Sequence, residues 1–133
     1  MDYSFTPPSA TEFAALYRQT GWRTWEPERF ARALAGSWIV CSARDSGGAL
    51  VGMGRLLGDG ALHAFVTEMI VDEDHRGAGI GAEILSRLVA ESRRRGVEDV
   101  QLFAARGRSG FYERNGFAAR PEDGPGMDVV GVP

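Results

Sequence analysis

A chain of 133 residues is long enough to bury a core of its own, and a net charge of −3 makes it a poor match for nucleic acid, whose phosphates call for a basic face. One cysteine and two histidines exclude a disulfide framework and a zinc centre, and no apolar run approaches the roughly 18 residues of a membrane span. Every basic side chain is arginine, which excludes a Walker phosphate loop and Schiff-base chemistry, since both need lysine.

The opening Met1–Pro8 lacks the basic and apolar regions of a signal peptide, so a cytoplasmic location is expected. Residues 3–6 read as a short edge strand ended by Pro7-Pro8. Ser9 or Thr11 then caps a helix to about Gln19, with Phe13, Leu16 and Tyr17 on one face and Gly21 beyond its end. Glu26-Pro27-Glu28 opens a second helix, which carries Phe30, Ala33 and Leu34 inward to Gly36.

Trp38–Ala43 and Ala49–Leu57 alternate as strands around the Asp45-Ser-Gly-Gly48 turn, a hairpin pattern. Leu62–Val71 is apolar on both faces apart from Thr67 and Glu68, the pattern of a central strand. Ile80, Ile84, Leu85, Leu88 and Val89 form a helical stripe that stops at Gly96, and the Arg93-Arg94-Arg95 run reads as its solvated end. Val97–Ala105 reads as a strand and 107–115 as a short helix. Phe117 and Met127–Val130 read as two last strand segments around a proline- and glycine-rich loop. An α/β layer with a mixed sheet follows, in one domain spanning 1–133.

Between the central strand and the longest helix lies Val71–Leu85, with glycines at 77, 79 and 81. Glycines let backbone come close to a ligand, and the helix they open aims unpaired N–H groups and a positive dipole end at the same place. An anion is expected there. Gly77-x-Gly79-x-x-Ala82 satisfies the loose dinucleotide fingerprint, but five residues separate it from its strand and the next strand lacks the ribose-binding acid.

Arg76-x-x-Gly79-x-Gly81 on such a strand-to-helix turn resembles the acyl-CoA pyrophosphate loop of the GCN5-related N-acetyltransferases (GNAT), and Phe111-Tyr-Glu-Arg-Asn-Gly-Phe117 is similar to their second signature. Arg120-Pro121 to Gly126-Met127 resembles the tail of small bacterial members. The resemblance covers the chain from about Trp38 onward. It implies a mixed central sheet of six or seven strands flanked by about four helices, with two central strands splayed to admit an acyl-CoA. Members often pair as homodimers.

The resemblance also implies roles. The backbone of Arg76, Gly77, Ala78, Gly79, Ile80, Gly81 and Ala82 would hold the pyrophosphate of acetyl-CoA, with the Arg76 side chain adding charge. Met69, Ile70 and Val71 would pair with the pantetheine amides as an added strand, and Phe103 on the facing strand joins these contacts. The family's asparagine after the fifth strand is replaced by Arg106, so Arg106 or Arg108 is expected to meet the CoA phosphates instead. Asp72, Glu73 and Asp74 must turn away from that anion, and His75 reads as a loop residue.

An alkylammonium with a pKa near 10 must lose a proton before it attacks a thioester, and a thiolate departs more readily when protonated. Tyr112 matches the family's general acid. Glu68 is the candidate base, or the group that draws the proton through water and attracts the amine; a carboxylate in an apolar strand is paired with an arginine, desolvated or facing a cleft. Asp59 and Asp128 are lesser candidates, and Cys41 reads as core. Trp22, Trp25 and Phe30 are candidates for the acceptor pocket, as aromatic side chains also suited to core packing. The expected activity is transfer of acetyl to a small-molecule primary amine in a ternary complex. The competing readings are a peptide or protein amine and a non-catalytic acyl-CoA-binding module.

Overall fold

The computed structural model describes residues 1–131, which divide into a larger compact unit, Met1–Leu102, and a smaller one from Phe103 onward. In the larger unit the order is β1 (Asp2–Ser4), α1 (Ala10–Arg18), α2 (Pro27–Ala35), β2 (Ile39–Arg44), β3 (Leu50–Gly58), β4 (Ala64–Val71), a 3₁₀ turn (Glu73–His75), α3 (Ile80–Arg94) and β5 (Val100–Leu102). The strands form one sheet in sequence order. The pairs from β1 to β4 are antiparallel, and β4 pairs with β5 in parallel through the α3 crossover.

Local chemistry explains the boundaries. Ser9 caps α1 in a full capping box: its hydroxyl accepts from the Glu12 amide at 3.1 Å while the Glu12 carboxylate accepts from the Ser9 amide at 2.9 Å. Asp45 Oδ1 accepts from the amides of Gly47 and Ala49, closing the β2–β3 turn. Asp59 closes the β3–β4 turn in the same way, through the amides of Ala61, Leu62 and His63. Val97 bonds back from its amide to Ser92 O at 2.9 Å across left-handed Gly96, ending α3 in a Schellman motif.

The sheet carries a layer on each face. Phe13, Leu16 and Phe30 from the two first helices meet Val40, Met53 and Ile70 in one buried cluster. Full burial of each such side chain contributes roughly 1.5–3 kcal/mol. On the other face α3 lies close because β3 has no side chain at Gly52 and Gly54. A Cβ at Gly52 would meet Ile80 and Ile84 at 3.0 Å, and one at Gly54 would meet Ile84 and Leu88 at 3.0 Å. Cys41 is fully buried on the same sheet, and burial pushes its thiol up to about 11, the behaviour of a core side chain.

Among the described residues the sheet has five strands, not six or seven. Phe117 and Met127–Val130 form no ladder, and Met127, Val129 and Val130 are exposed. Alternation shows what a strand would bury, but pairing requires an edge in reach, which no local pattern encodes. β5 is likewise shorter than its apolar run, because Val97 is spent on the end of α3.

The Glu12 carboxylate is held down at about 2 by the Arg44 guanidinium first and the Ser9 amide second, against an ordinary value of 4.5. A lowered carboxyl contributes stability above its unfolded value and loses it as pH falls through the folded one. With both partners about a third exposed, Glu12→Gln is expected to cost about 1 kcal/mol at pH 7 and much less near pH 2. Urea unfolding at the two pH values checks the difference.

Candidate active site

β4 and β5 are hydrogen-bonded only from Ala64↔Val100 to Val66↔Leu102, whereas β4 runs on to Val71 and stays paired with β3 on its other side, Val71 facing Gly52. The β5-facing edge of Thr67–Val71 therefore presents backbone N–H and C=O groups beyond the last ladder partner, which is what an added strand requires. Thr67, Glu68 and Met69 are half-buried, and only Ala64, Val66 and Ile70 are buried in β4. The expected two-sided burial is therefore not met: one face holds Ala64, Val66 and Ile70, and the rest of the strand is half-buried.

A β-bulge lies on that same stretch. Arg55 pairs with Thr67 and Met53 with Ile70, so Gly54 alone opposes both Glu68 and Met69. Glu68 takes a φ of 49°, the sole non-glycine residue described with a positive φ. Met69 lies over Gly54, where a Cβ would collide with its sulfur. Of the three environments open to Glu68, the structure provides the arginine. Its Oε1 accepts from Arg55 Nε at 2.8 Å and Nη2 at 2.7 Å, and its Oε2 accepts from Thr67 Oγ1 at 2.8 Å. Arg55 Nη1 also donates to Ser37 Oγ at 3.1 Å and to Ala33 O at 3.3 Å, the carbonyl end of α2.

In the loop after β4 the Asp72 carboxylate is occupied by protein partners. Asp72 Oδ1 accepts from Gln19 Nε2 at 2.8 Å, and Oδ2 faces His75 Nδ1 at 2.8 Å and the Asp74 amide at 3.1 Å. The Gln19 side chain, with the His75 ring next, holds the Asp72 carboxyl below its ordinary value. Gln19 Oε1 accepts in turn from the Glu73 amide at 2.9 Å, so the end of α1 grips the loop through both ends of one amide.

Gly77 and Gly79 then turn with φ of 84° and 80°, and a Cβ on either would meet nothing within 4 Å. Gly79 is the N-cap of α3, whose first described intrahelical bond runs from Glu83 N to Gly79 O at 3.1 Å. The amides of Ile80, Gly81 and Ala82 precede it. Arg76 is extended and exposed, its Nε donating to Val71 O at 3.3 Å. The residues present fit an acyl-CoA: an open strand edge for the pantetheine amides, and glycines with open space before helix amides for a diphosphate.

The aromatic candidates separate. Phe30 is 4% exposed, its ring 5.0 Å from Phe13 and 5.2 Å from Tyr17, so it lies in the core and not on a pocket wall. Trp22 is 41% exposed, with its ring 5.5 Å from Tyr17. Trp25 donates from Nε1 to Tyr17 Oη at 3.3 Å and carries the guanidinium groups of Arg23 and Arg29, each 4.6 Å from its ring centre.

In the smaller unit, Phe111-Tyr-Glu-Arg-Asn-Gly-Phe117 is one short helix, α4 (Ser109–Arg114), with its ending. Left-handed Gly116 lets the Phe117 amide reach Tyr112 O at 3.0 Å, and the Phe117 ring lies 6.0 Å from that of Tyr112. Asn115 Nδ2 donates to Phe111 O at 2.7 Å. The signature thus fixes the Tyr112 ring, whose hydroxyl is raised above 10.0 by burial, with Arg108 opposing. Phe103 is 55% exposed, and a Cβ on Gly126 would overlap its ring. Arg106 is exposed in the turn closed by Arg108 N to Ala105 O at 2.9 Å.

Arg55, Gln19, Gly52 and Gly54 escaped the sequence reading. The Gly52-Met-Gly54 spacing marks one face of a strand left bare, and Arg55 is the one charge in that strand; both signals were legible.

A mixed sheet whose parallel ladder spans three residues, with a glycine turn and a helix N-terminus after the longer strand, defines an α/β fold with a place for an anion at that turn. The family model of the acetyltransferase (GNAT) domain matches residues 36–119, and the chain belongs to the GCN5-related N-acetyltransferase family. It is 36% identical over 115 residues to serotonin N-acetyltransferase 2, chloroplastic, of Oryza sativa subsp. japonica, across 84% of this chain and 58% of the relative. The chain thus spans a little over half the length of that relative.

Two solved structures share the fold. A GNAT-family acetyltransferase from Streptococcus pneumoniae superposes with a TM-score of 0.81 at 28% identity, over 98% of this chain and 96% of that one. The GNAT-family N-acetyltransferase YhbS from Escherichia coli, in complex with CoA, gives 0.74 at 19% identity, over 88% and 68%. No described helix is long and apolar enough to cross a membrane.

Proposed function

We propose that this chain is a single-domain, acetyl-CoA-dependent N-acetyltransferase acting on the primary amine of a small molecule. The β5-facing edge of Thr67–Val71 beyond the ladder, followed after the Asp72–Arg76 turn by Gly77 and Gly79, carries the reading. Acetyl-CoA supplies an activated acetyl group as its thioester. Met69–Val71 hold the pantetheine arm through backbone N–H and C=O groups, and the amides of Arg76–Ala82 with the Arg76 guanidinium hold the diphosphate. Phe103 and Arg106, in the smaller unit, carry the remaining cofactor roles that the family resemblance implies.

Glu68 attracts the cationic amine and draws its proton. Because both of its oxygens accept from Arg55 and Thr67, passage through a water on the carboxylate fits better than direct contact. Tyr112 Oη donates a proton to the departing sulfur, for which a hydroxyl kept protonated by burial is suited. Trp22 and Trp25 present aromatic surface to the acceptor, and Phe30 supports them through Tyr17. The rice relative is named for serotonin, which makes that amine the first acceptor to try.

Calorimetry with acetyl-CoA and a thiol-release assay over serotonin, aliphatic diamines and a short peptide test the reading together. Transfer to a small amine is the expected result. Transfer to the peptide alone would replace the acceptor class, and binding without any transfer would leave a cofactor-binding module.

A further inference from the structure

Arg55 is the only charged residue of β3, and it is spent on a single cluster. Its side chain is 12% exposed and that of its partner Glu68 16%. Nε and Nη2 converge on Glu68 Oε1, and Nη1 turns the other way to Ser37 Oγ and Ala33 O. Ser37 Oγ donates onward to Ala33 O at 2.7 Å. One planar group thus ties the carbonyl end of α2 to the bulged residue of β4, which keeps a left-handed backbone at 49° without being glycine. A residue held in that region persists only where its surroundings over-determine it.

We infer that Arg55 is a positioning residue for acetyl transfer: its guanidinium fork fixes the Glu68 carboxylate and the bulge that carries it. The inference rests on the reading of Glu68 given above. A lysine at 55 keeps the charge but presents one point donor, unable to serve Glu68, Ser37 and Ala33 in one plane. Placement of the proton acceptor is therefore lost while charge is kept. None of the residues given a cofactor role above is Arg55.

The test is a double-mutant cycle of Arg55→Lys and Glu68→Gln, reading kcat and KM for the amine, the acetyl-CoA dissociation constant by calorimetry, and amide exchange at Thr67–Ile70. In the wild-type background R55K is expected to lower kcat about tenfold, with acetyl-CoA affinity within twofold and faster exchange at the bulge. In the E68Q background the same change is expected to alter kcat less than twofold, because the group it positions is gone. Equal losses in both backgrounds, or no loss in either, would overturn the inference while leaving the acetyltransferase reading in place. A wild-type chain that binds acetyl-CoA and acetylates no amine would overturn both. If R55K does not fold, Ser37→Ala removes one acceptor of the fork. It is then expected to lower kcat about threefold in the wild-type background and not with E68Q; the same loss in both would again overturn the inference.

Discussion

Replacing Tyr112 by phenylalanine is expected to lower kcat by about 10² to 10³ while the acetyl-CoA dissociation constant stays within twofold, the range over which a positioned general acid acts. The ring is retained, so its edge contacts with Phe111 and Phe117 and the backbone turn through Gly116 persist, and the melting temperature should move little. The pH dependence follows from the sign of the shift. Burial raises the hydroxyl above its ordinary 10.0, and the working form is the protonated one, so rate loss from this group sets in at higher pH than it would for a free tyrosine. Stopped-flow thiol release for both proteins from pH 7 to about pH 11 measures it. An unchanged rate for Y112F would remove this side chain from the mechanism.

Gly79→Val should raise the acetyl-CoA dissociation constant at least about tenfold, which is about 1.4 kcal/mol. Gly79 sits at φ 80°, ψ 8° as the N-cap of α3, and a β-branched residue there costs roughly 1–2 kcal/mol in backbone strain. Nothing lies within 4 Å of the Cβ position, so the side chain itself meets no protein atom. Its effect falls on the open space before the helix and on the direction of the amides that follow. Gly48→Val is the control: φ is 84°, the surroundings are equally open, and the position is the β2–β3 turn. Equal strain with unchanged affinity at 48 and weakened affinity at 79 would separate cofactor binding from stability; equal affinity in both variants would count against the phosphate cradle.

The elements that proved easiest to read were those whose signals are local. The Asp45 turn and the helical stripe from Ile80 to Val89 each rest on residues within four positions of one another, and so does the α1 cap, which settles on Ser9 and not Thr11. Tyr112 belongs with them, since Gly116 and Phe117 fix its ring from the same motif. Phe30 shows the limit. An aromatic on a helix after a tryptophan-rich connection fits a pocket or a core equally well, and only the meeting of α1, α2, β2, β3 and β4 places it in the core.

The sequence by itself determined the glycine turn before α3, because turning a chain from strand to helix with open backbone needs glycine at stated positions, and those positions are close together. It determined the helix ends for the same reason. The tertiary structure alone decided what Glu68 meets, since Arg55 is thirteen residues away and reaches it only across a register shifted by one residue at Gly54. It also decided where β4 loses its β5 neighbour, and hence which backbone edge stays open. Pairing, bulges and buried ion pairs depend on which distant segment arrives alongside, and that is settled by packing the whole sheet at once.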